Sequence, residues 1–250
     1  MTGNQLSQGQ DEEAKVDRAL SLLRTSATPE IRFEVLQAIV RYWHGPIGVQ
    51  DGLTTKELEG LYLPQPLSKW YRWAGRRSEI MSGQNFLFSP QEQQYEFRKL
   101  RLDTGCLLFQ IENQGVCEWA TLPEGEDPPV FCRFNNESWQ RESVSLSEHL
   151  ILTCLFEAVV CHALYSASSA WISSEQLEAI VENFSPLAIS PWRWSGATRF
   201  YAGDGVFICT ARHTINGEVG ASVWIGAKKT NRLDFLVGRV GYVWDRFKVL

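Results

Sequence analysis

Between Thr28 and Gly75 the apolar residues recur at helical spacing, and beyond Gly75 they alternate, so the chain passes from helices to sheet. Thr28-Pro29-Glu30 is a start signal, with an N-cap, a proline at the first helical position and an acid in the first turn. Ile31, Val35, Ala38, Ile39 and Tyr42 then form one stripe that ends at Gly45-Pro46. A short amphipathic helix over Ala14 to Leu23 precedes it, a turn or two is expected over Lys56 to Leu61, and Leu67, Trp70, Tyr71 and Trp73 predict another helix ending at Gly75. Asn85 to Phe88 reads as a short strand, Tyr95, Phe97 and Leu100 as either strand or helix, and Val130 to Phe134 as a further strand.

The stretch Phe109 to Ala120 predicts a hairpin. With Asn113-Gln114-Gly115 as a three-residue loop, Ile111 faces Cys117, Phe109 faces Trp119 and Leu107 faces Thr121, which gathers the apolar residues on one side. Gly115 suits the positive φ that short loops need. The opposite face then carries Glu112 and Glu118. A loop rich in proline, glycine and acids follows, with Glu124, Glu126 and Asp127.

Ser145 and Glu148 form a capping box opening the longest helix, which should reach about Tyr165. Leu146, Leu150, Cys154, Ala158 and His162 line one stripe while Leu152, Phe156, Val160 and Leu164 occupy much of the rest, so two sides should be buried. Ser173 and Gln176 open a second helix that runs to about Phe184. Beyond Pro186 the chain is rich in Trp and Gly, with candidate strands at Arg199 to Ala202, Gly205 to Ala211 and Val219 to Ile225, and a closing Trp244-Asp245-Arg246-Phe247.

At 250 residues with 44% hydrophobic positions the chain can bury a sizeable core. Residues 1–12 are polar and Gln-rich and are expected to be disordered, leaving 13–250 as a single domain. No run of about 18 apolar residues and no secretory leader pattern is present, which makes the cytoplasm the default location and sets the expectation of no membrane partner. The formal charge is −5: residues 1–150 carry 15 basic and 21 acidic side chains, residues 151–250 carry 9 and 8. That balance argues against nucleic-acid binding and suits a basic protein partner, or simple solubility. Six cysteines without close pairing read as small buried hydrophobes.

Catalytic patterns are missing from the sequence. His44, His149, His162 and His213 stand far apart, and Cys161 and His162 point about 100 degrees apart on a helix, so they cannot serve one metal. No Gly-x-Ser-x-Gly elbow and no phosphate-binding glycine loop occurs. Glu112 and Glu118, on an exposed sheet face, would lack the desolvation that separates the pKa values of an acid and a base. The expectation is therefore a protein that is not an enzyme and takes no cofactor or metal. Trp119 belongs to the core, whereas Trp192 and Trp194 in the Trp192-Arg193-Trp194 loop suit either an interface hot spot or a plug over the sheet edge.

Pro64-Gln65-Pro66-Leu67 with Trp70 to Gly75, the Phe109 to Trp119 hairpin, Asp127-Pro128-Pro129-Val130, and Trp139 followed by Leu146-Ser147-Glu148-His149-Leu150 resemble, in that order, the SUKH superfamily. Residues 55 to 165 carry the resemblance, and Gly226-Ala227-Lys228-Lys229 is similar to the family's C-terminal end. His149, where the pattern more often has an aliphatic or aromatic residue, and the Trp-rich insertion around 186–200 depart from it. The resemblance implies an α+β fold with a central, mostly antiparallel sheet and helices packed on one side. It also implies an immunity protein that neutralises a cognate cytoplasmic toxin of nuclease or deaminase type, or a regulatory or scaffold protein of the same fold. The candidate partner-binding residues are Glu112, Glu118, Glu124, Glu126, Asp127, Trp192 and Trp194.

Overall fold

The computed structural model describes residues 3–25, 28–89, 105–135, 137–236 and 246–249. Three helices come first: α1 (Gly3–Thr25), α2 (Pro29–His44) and α3 (Gln65–Ala74). Thr28 caps α2 by accepting the Ile31 amide, and Gly45, at φ 81°, ends it. Polar residues 3–12, expected to be disordered, are helical instead. Val16, Leu20 and Leu23 are buried, each worth about 1.5–3 kcal/mol, and the preceding Gln, Glu, Ala and Lys residues propagate a helix well once it is anchored. Glu13 strengthens the anchor through ion pairs of 2.8 Å with Lys229 and Arg232. Lys228 donates to the Tyr42 carbonyl at 2.7 Å, so the Gly226–Lys229 stretch ties the C-terminal part to the first two helices.

The fold is α+β, as expected, but its strands make two antiparallel sheets where one central sheet was expected. The first is a meander in the order β1 (Asn85–Leu87), β2 (Leu107–Glu112), β3 (Cys117–Thr121), β4 (Pro129–Phe134) and β5 (Gln140–Ser145). The second contains β6 (Tyr165–Ser173), β7 (Ser185–Pro186), β8 (Arg199–Gly203), β9 (Val206–Ile215), β10 (Glu218–Ala227) and β11 (Arg246–Val249), in the order β11-β6-β10-β9-β8-β7. Four strands, β5, β6, the two-residue β7 and β11, have no counterpart in the sequence reading. β5 is a polar edge strand, and the serines of β6 dilute the apolar alternation that would reveal it. Tyr95, Phe97, Leu100, Trp244 and Asp245 lie outside the described residues.

Between the sheets lies α4 (Leu146–Glu157), which continues as a π-helical turn over Ala158–His162 rather than as α-helix to Tyr165. Every residue of α4 except Glu148 is buried. This follows from a helix that is apolar nearly all round. Its core includes α2, the inner face of the first sheet, and Phe200, Ala202, Phe207 and Cys209 of the second. Alternate residues of β9 and β10, among them Ile208, Val223 and Ile225, point the other way into a smaller core under α5 (Ser174–Val181). The second sheet is thus buried on both faces, which explains its runs of apolar residues. A one-turn helix, α6 (Trp194–Ala197), follows the Trp-rich loop.

Candidate functional site

At its open end the hairpin has the expected register, with Leu107 opposite Thr121 and Leu108 opposite Ala120. A β-bulge at Phe109 then shifts the pairing by one, setting Gln110 opposite Trp119 and Ile111 opposite Glu118. Phe109 and Gln110 consequently both meet α4. The Phe109 ring lies edge-on to His149 at 5.2 Å, and Gln110 Oε1 is 2.6 Å from His149 Nε2. Beyond the bulge the faces are exchanged, so Glu112 turns inward. No glycine or other breaker marks the bulge in the sequence.

Glu112 is therefore not on the surface. It is 2% exposed, accepting Gln84 Nε2 at 2.8 Å on one oxygen and the amides of Gln114 (2.8 Å) and Val116 (3.3 Å) on the other. Those bonds close the hairpin loop. Glu118 lies on the outer face and pairs with the cross-strand Arg133, whose guanidinium stands 4.8 Å over the Trp139 ring. The two carboxylates occupy opposite faces of one sheet and cannot act together on a substrate.

Asp127 also has structural work. Its Oδ1 accepts the Ser147 amide at 2.8 Å, in the first turn of α4, while its Oδ2 accepts the Ser147 hydroxyl and Arg32 Nη1, each at 2.8 Å. Arg32 reaches Glu148 with its other nitrogen at 2.8 Å, and Glu148 in turn accepts the Ser145 amide at 2.9 Å. Donors in the first turn of a helix are usually met in this way. The Gly125 carbonyl accepts the Gln65 amide at 3.0 Å, so the acidic loop is fixed both to α3 and to α4. Next to those anchors Glu124 and Glu126 are exposed, without an ion pair among the described residues.

Trp192 is a core residue. It has no exposed surface, stacks on Trp119 with centroids 5.5 Å apart, and meets His149 and Phe156 edge-on at 5.3 and 5.9 Å. Trp194 is partly buried, lying parallel to Phe134 at 6.3 Å. Reciprocal backbone bonds between Trp192 and Thr198 close the loop, and polar contacts tie it to β5: Ser143 Oγ donates to the Pro191 carbonyl and the Arg193 amide to Glu142. The plug reading describes this loop, and the hot-spot reading fails for Trp192. Proline and tryptophan in an irregular segment resemble a surface loop until the partner Trp119 is located.

One buried polar cluster has no counterpart among the sequence expectations. His149, Thr153 and Glu157 follow one another at intervals of four on α4, and with Gln110 and Asn85 of the first sheet they form a polar seam with no solvent exposure. Burial pushes the His149 pKa down to about 3. The ring is therefore neutral and donates from Nε2 to Gln110 Oε1, which also accepts Thr153 Oγ1. Glu157 accepts the amides of Gly83, Gln84 and Asn85 at 2.9, 2.8 and 2.7 Å, although burial pushes its carboxyl up. The interval of four polar residues along an apolar helix was the available signal. Sealed from solvent, the seam sets the register of α4 on the sheet and presents nothing to a substrate.

The cysteines are all free, and five are buried or partly buried, as small apolar residues should be, while Cys161 is exposed. Among the described residues no three His, Cys, Asp or Glu side chains converge to hold a metal. No described helix is long and apolar enough to cross a membrane. Among the candidate residues the exposed carboxylates without an ion pair among the described residues are thus Glu124 and Glu126, on an anchored loop. No protein-family model, curated protein or solved structure matches the chain.

Proposed function

We propose that the chain is a non-enzymatic cytoplasmic immunity or interaction protein, of the kind its SUKH-like motif order implies, which binds and neutralises a cognate toxin of nuclease or deaminase type. It needs no cofactor. The observation that supports this reading is the contrast within one loop. Asp127 and the Gly125 carbonyl are engaged in fixing the loop, whereas Glu124 and Glu126 are exposed and have no ion-pair partner among the described residues. A rigid acidic tip loses little conformational entropy on binding and steers a basic partner.

The test pairs the protein with the product of the gene beside its own. Wild-type protein should bind that product and protect cells that express it, and Glu124→Lys with Glu126→Lys should weaken binding at least tenfold at an unchanged melting temperature. Absence of both a complex and protection rules the reading out. Binding of a resident protein without protection would instead indicate the regulatory or scaffold role.

A further inference from the structure

A cavity of about 180 Å³ lies between one face of α1 and the edge of the second sheet, where β7 is the outermost strand. Asp17, Leu20 and Arg24 of α1 line it at helical intervals of three and four, so they share that face. Pro186 of β7, Leu187 and Ala202 of β8 form the opposite wall. Leu20 stands between the two charges along the helix, so the cavity is apolar between a carboxylate and a guanidinium.

Neither charge is matched. The Asp17 carboxylate is half-buried, with no hydrogen bond or ion pair among the described residues, and burial, with Asp204 and Glu13 nearby, pushes its pKa up. Asp204 is held close by the two-residue turn between β8 and β9, Asp204-Gly205, whose φ angles of 50° and 71° suit a tight hairpin. Arg232 attracts Asp17, but Glu13 already takes that guanidinium at 2.8 Å. Arg24 is exposed, again without an ion pair among the described residues. A carboxylate drawn partly out of water beside like charges is stabilised by an added cation.

We propose that this cavity binds a linear ω-amino acid, its ammonium group on Asp17 and its carboxylate on Arg24, with the methylene chain against Leu20, Leu187 and Ala202. The site is separate from the protein-binding role above and does not depend on it. Seven residues of helix set the α-carbons of Asp17 and Arg24 about 10 Å apart, which the two side chains shorten to the length of about five methylenes. An α-amino acid, whose two charges share one carbon, can satisfy only one end. A protein chain ending in lysine carries the same two charges at the longer spacing and shares the recognition chemistry.

The probe is ε-aminocaproate, titrated into the full chain and followed by amide chemical shifts in solution NMR. Caproate and hexylamine, which each lack one charge, and β-alanine, whose charges stand too close together, should all bind at least fivefold more weakly. Asp17→Asn should weaken ε-aminocaproate at least fivefold and leave caproate unchanged, and Arg24→Gln should weaken it equally and leave hexylamine unchanged. Both variants should melt at or above the wild-type temperature, because Asp17→Asn removes a charge that its neighbours repel and Arg24 is exposed. N-acetyl-glycyl-lysine separates the two sources: binding tighter than that of ε-aminocaproate assigns the cavity to a protein C-terminus, and weaker binding assigns it to a free amino acid. No binding of either compound by the wild type, equal binding of the singly and doubly charged compounds, or folded variants that bind like the wild type overturn the proposal.

Discussion

Asp127 and Arg32 hold α2, the acidic loop and the start of α4 together, with Oδ2 and Nη1 2.8 Å apart and both side chains less than 15% exposed. Removing the carboxylate takes away an acceptor from the first turn of α4, worth about 1 kcal/mol, and a charge-assisted bond worth about 1.5–3 kcal/mol. Asp127→Ala should therefore cost about 2–4 kcal/mol in urea unfolding. Glu126→Ala, one residue away and exposed, should stay within about 0.5 kcal/mol. Equal effects of the two substitutions would show that Asp127 does not anchor the loop.

Glu112 and Glu118 should separate in the same way. Glu112 is buried under three donors, so Glu112→Gln, which keeps one acceptor oxygen and loses the other, should cost about 1–3 kcal/mol. Glu118 pairs with Arg133 at a partly exposed site, and Glu118→Gln should cost about 1 kcal/mol or less. Midpoints of chemical unfolding decide between them, and a stability loss larger at Glu118 than at Glu112 would contradict the bulged register.

Much of the architecture is legible in the sequence because its signals are local. Thr28-Pro29, the Ser145 and Ser173 caps, the alternation in β4 and β8 and the apolar runs of β9 and β10 depend on neighbours a few residues away, and each element forms where they indicate. What stays hidden depends on distant partners. Gln110 turns inward because His149 waits for it from α4, and the bulge that turns it also carries Glu112 out of reach of solvent. Trp192 is drawn inside by Trp119, 73 positions earlier, and Asp127 by Arg32. Of the seven candidate residues, only Glu124 and Glu126 are both exposed and free of ion pairs among the described residues, because the partners that bury or pair the other five lie elsewhere in the chain.

Trp192 should be among the most costly side chains to truncate. It links the first sheet, through Trp119, to α4 through His149 and Phe156, and it has no exposed surface. Trp192→Ala should cost about 3–5 kcal/mol and weaken the near-ultraviolet circular dichroism of the stacked indoles. A loss below 1 kcal/mol would place the side chain at the surface.

The His149 and Gln110 pair governs the response to acid. Because burial holds the His149 pKa near 3, below the ordinary value of 6.5, the native state keeps the ring neutral while the unfolded chain takes up a proton. This contribution to stability is complete above about pH 6.5 and is lost as the pH falls toward 3, at up to about 1.4 kcal/mol per pH unit. His44, pushed down to about 4 by burial and by His162, acts in the same direction, whereas Glu142 and Glu157, pushed up by burial, oppose it. A difference between two proteins isolates the one histidine. At pH 7 His149→Leu alone should cost about 1–3 kcal/mol by leaving Gln110 short of a partner, and adding Gln110→Leu should recover much of that loss, since an apolar pair needs no hydrogen bonds. Between pH 6.5 and 5 the double variant should lose about 1–2 kcal/mol less than the wild type, read from urea midpoints at each pH. Parallel curves across that window would mean that His149 takes up its proton in the folded protein as readily as in the unfolded chain.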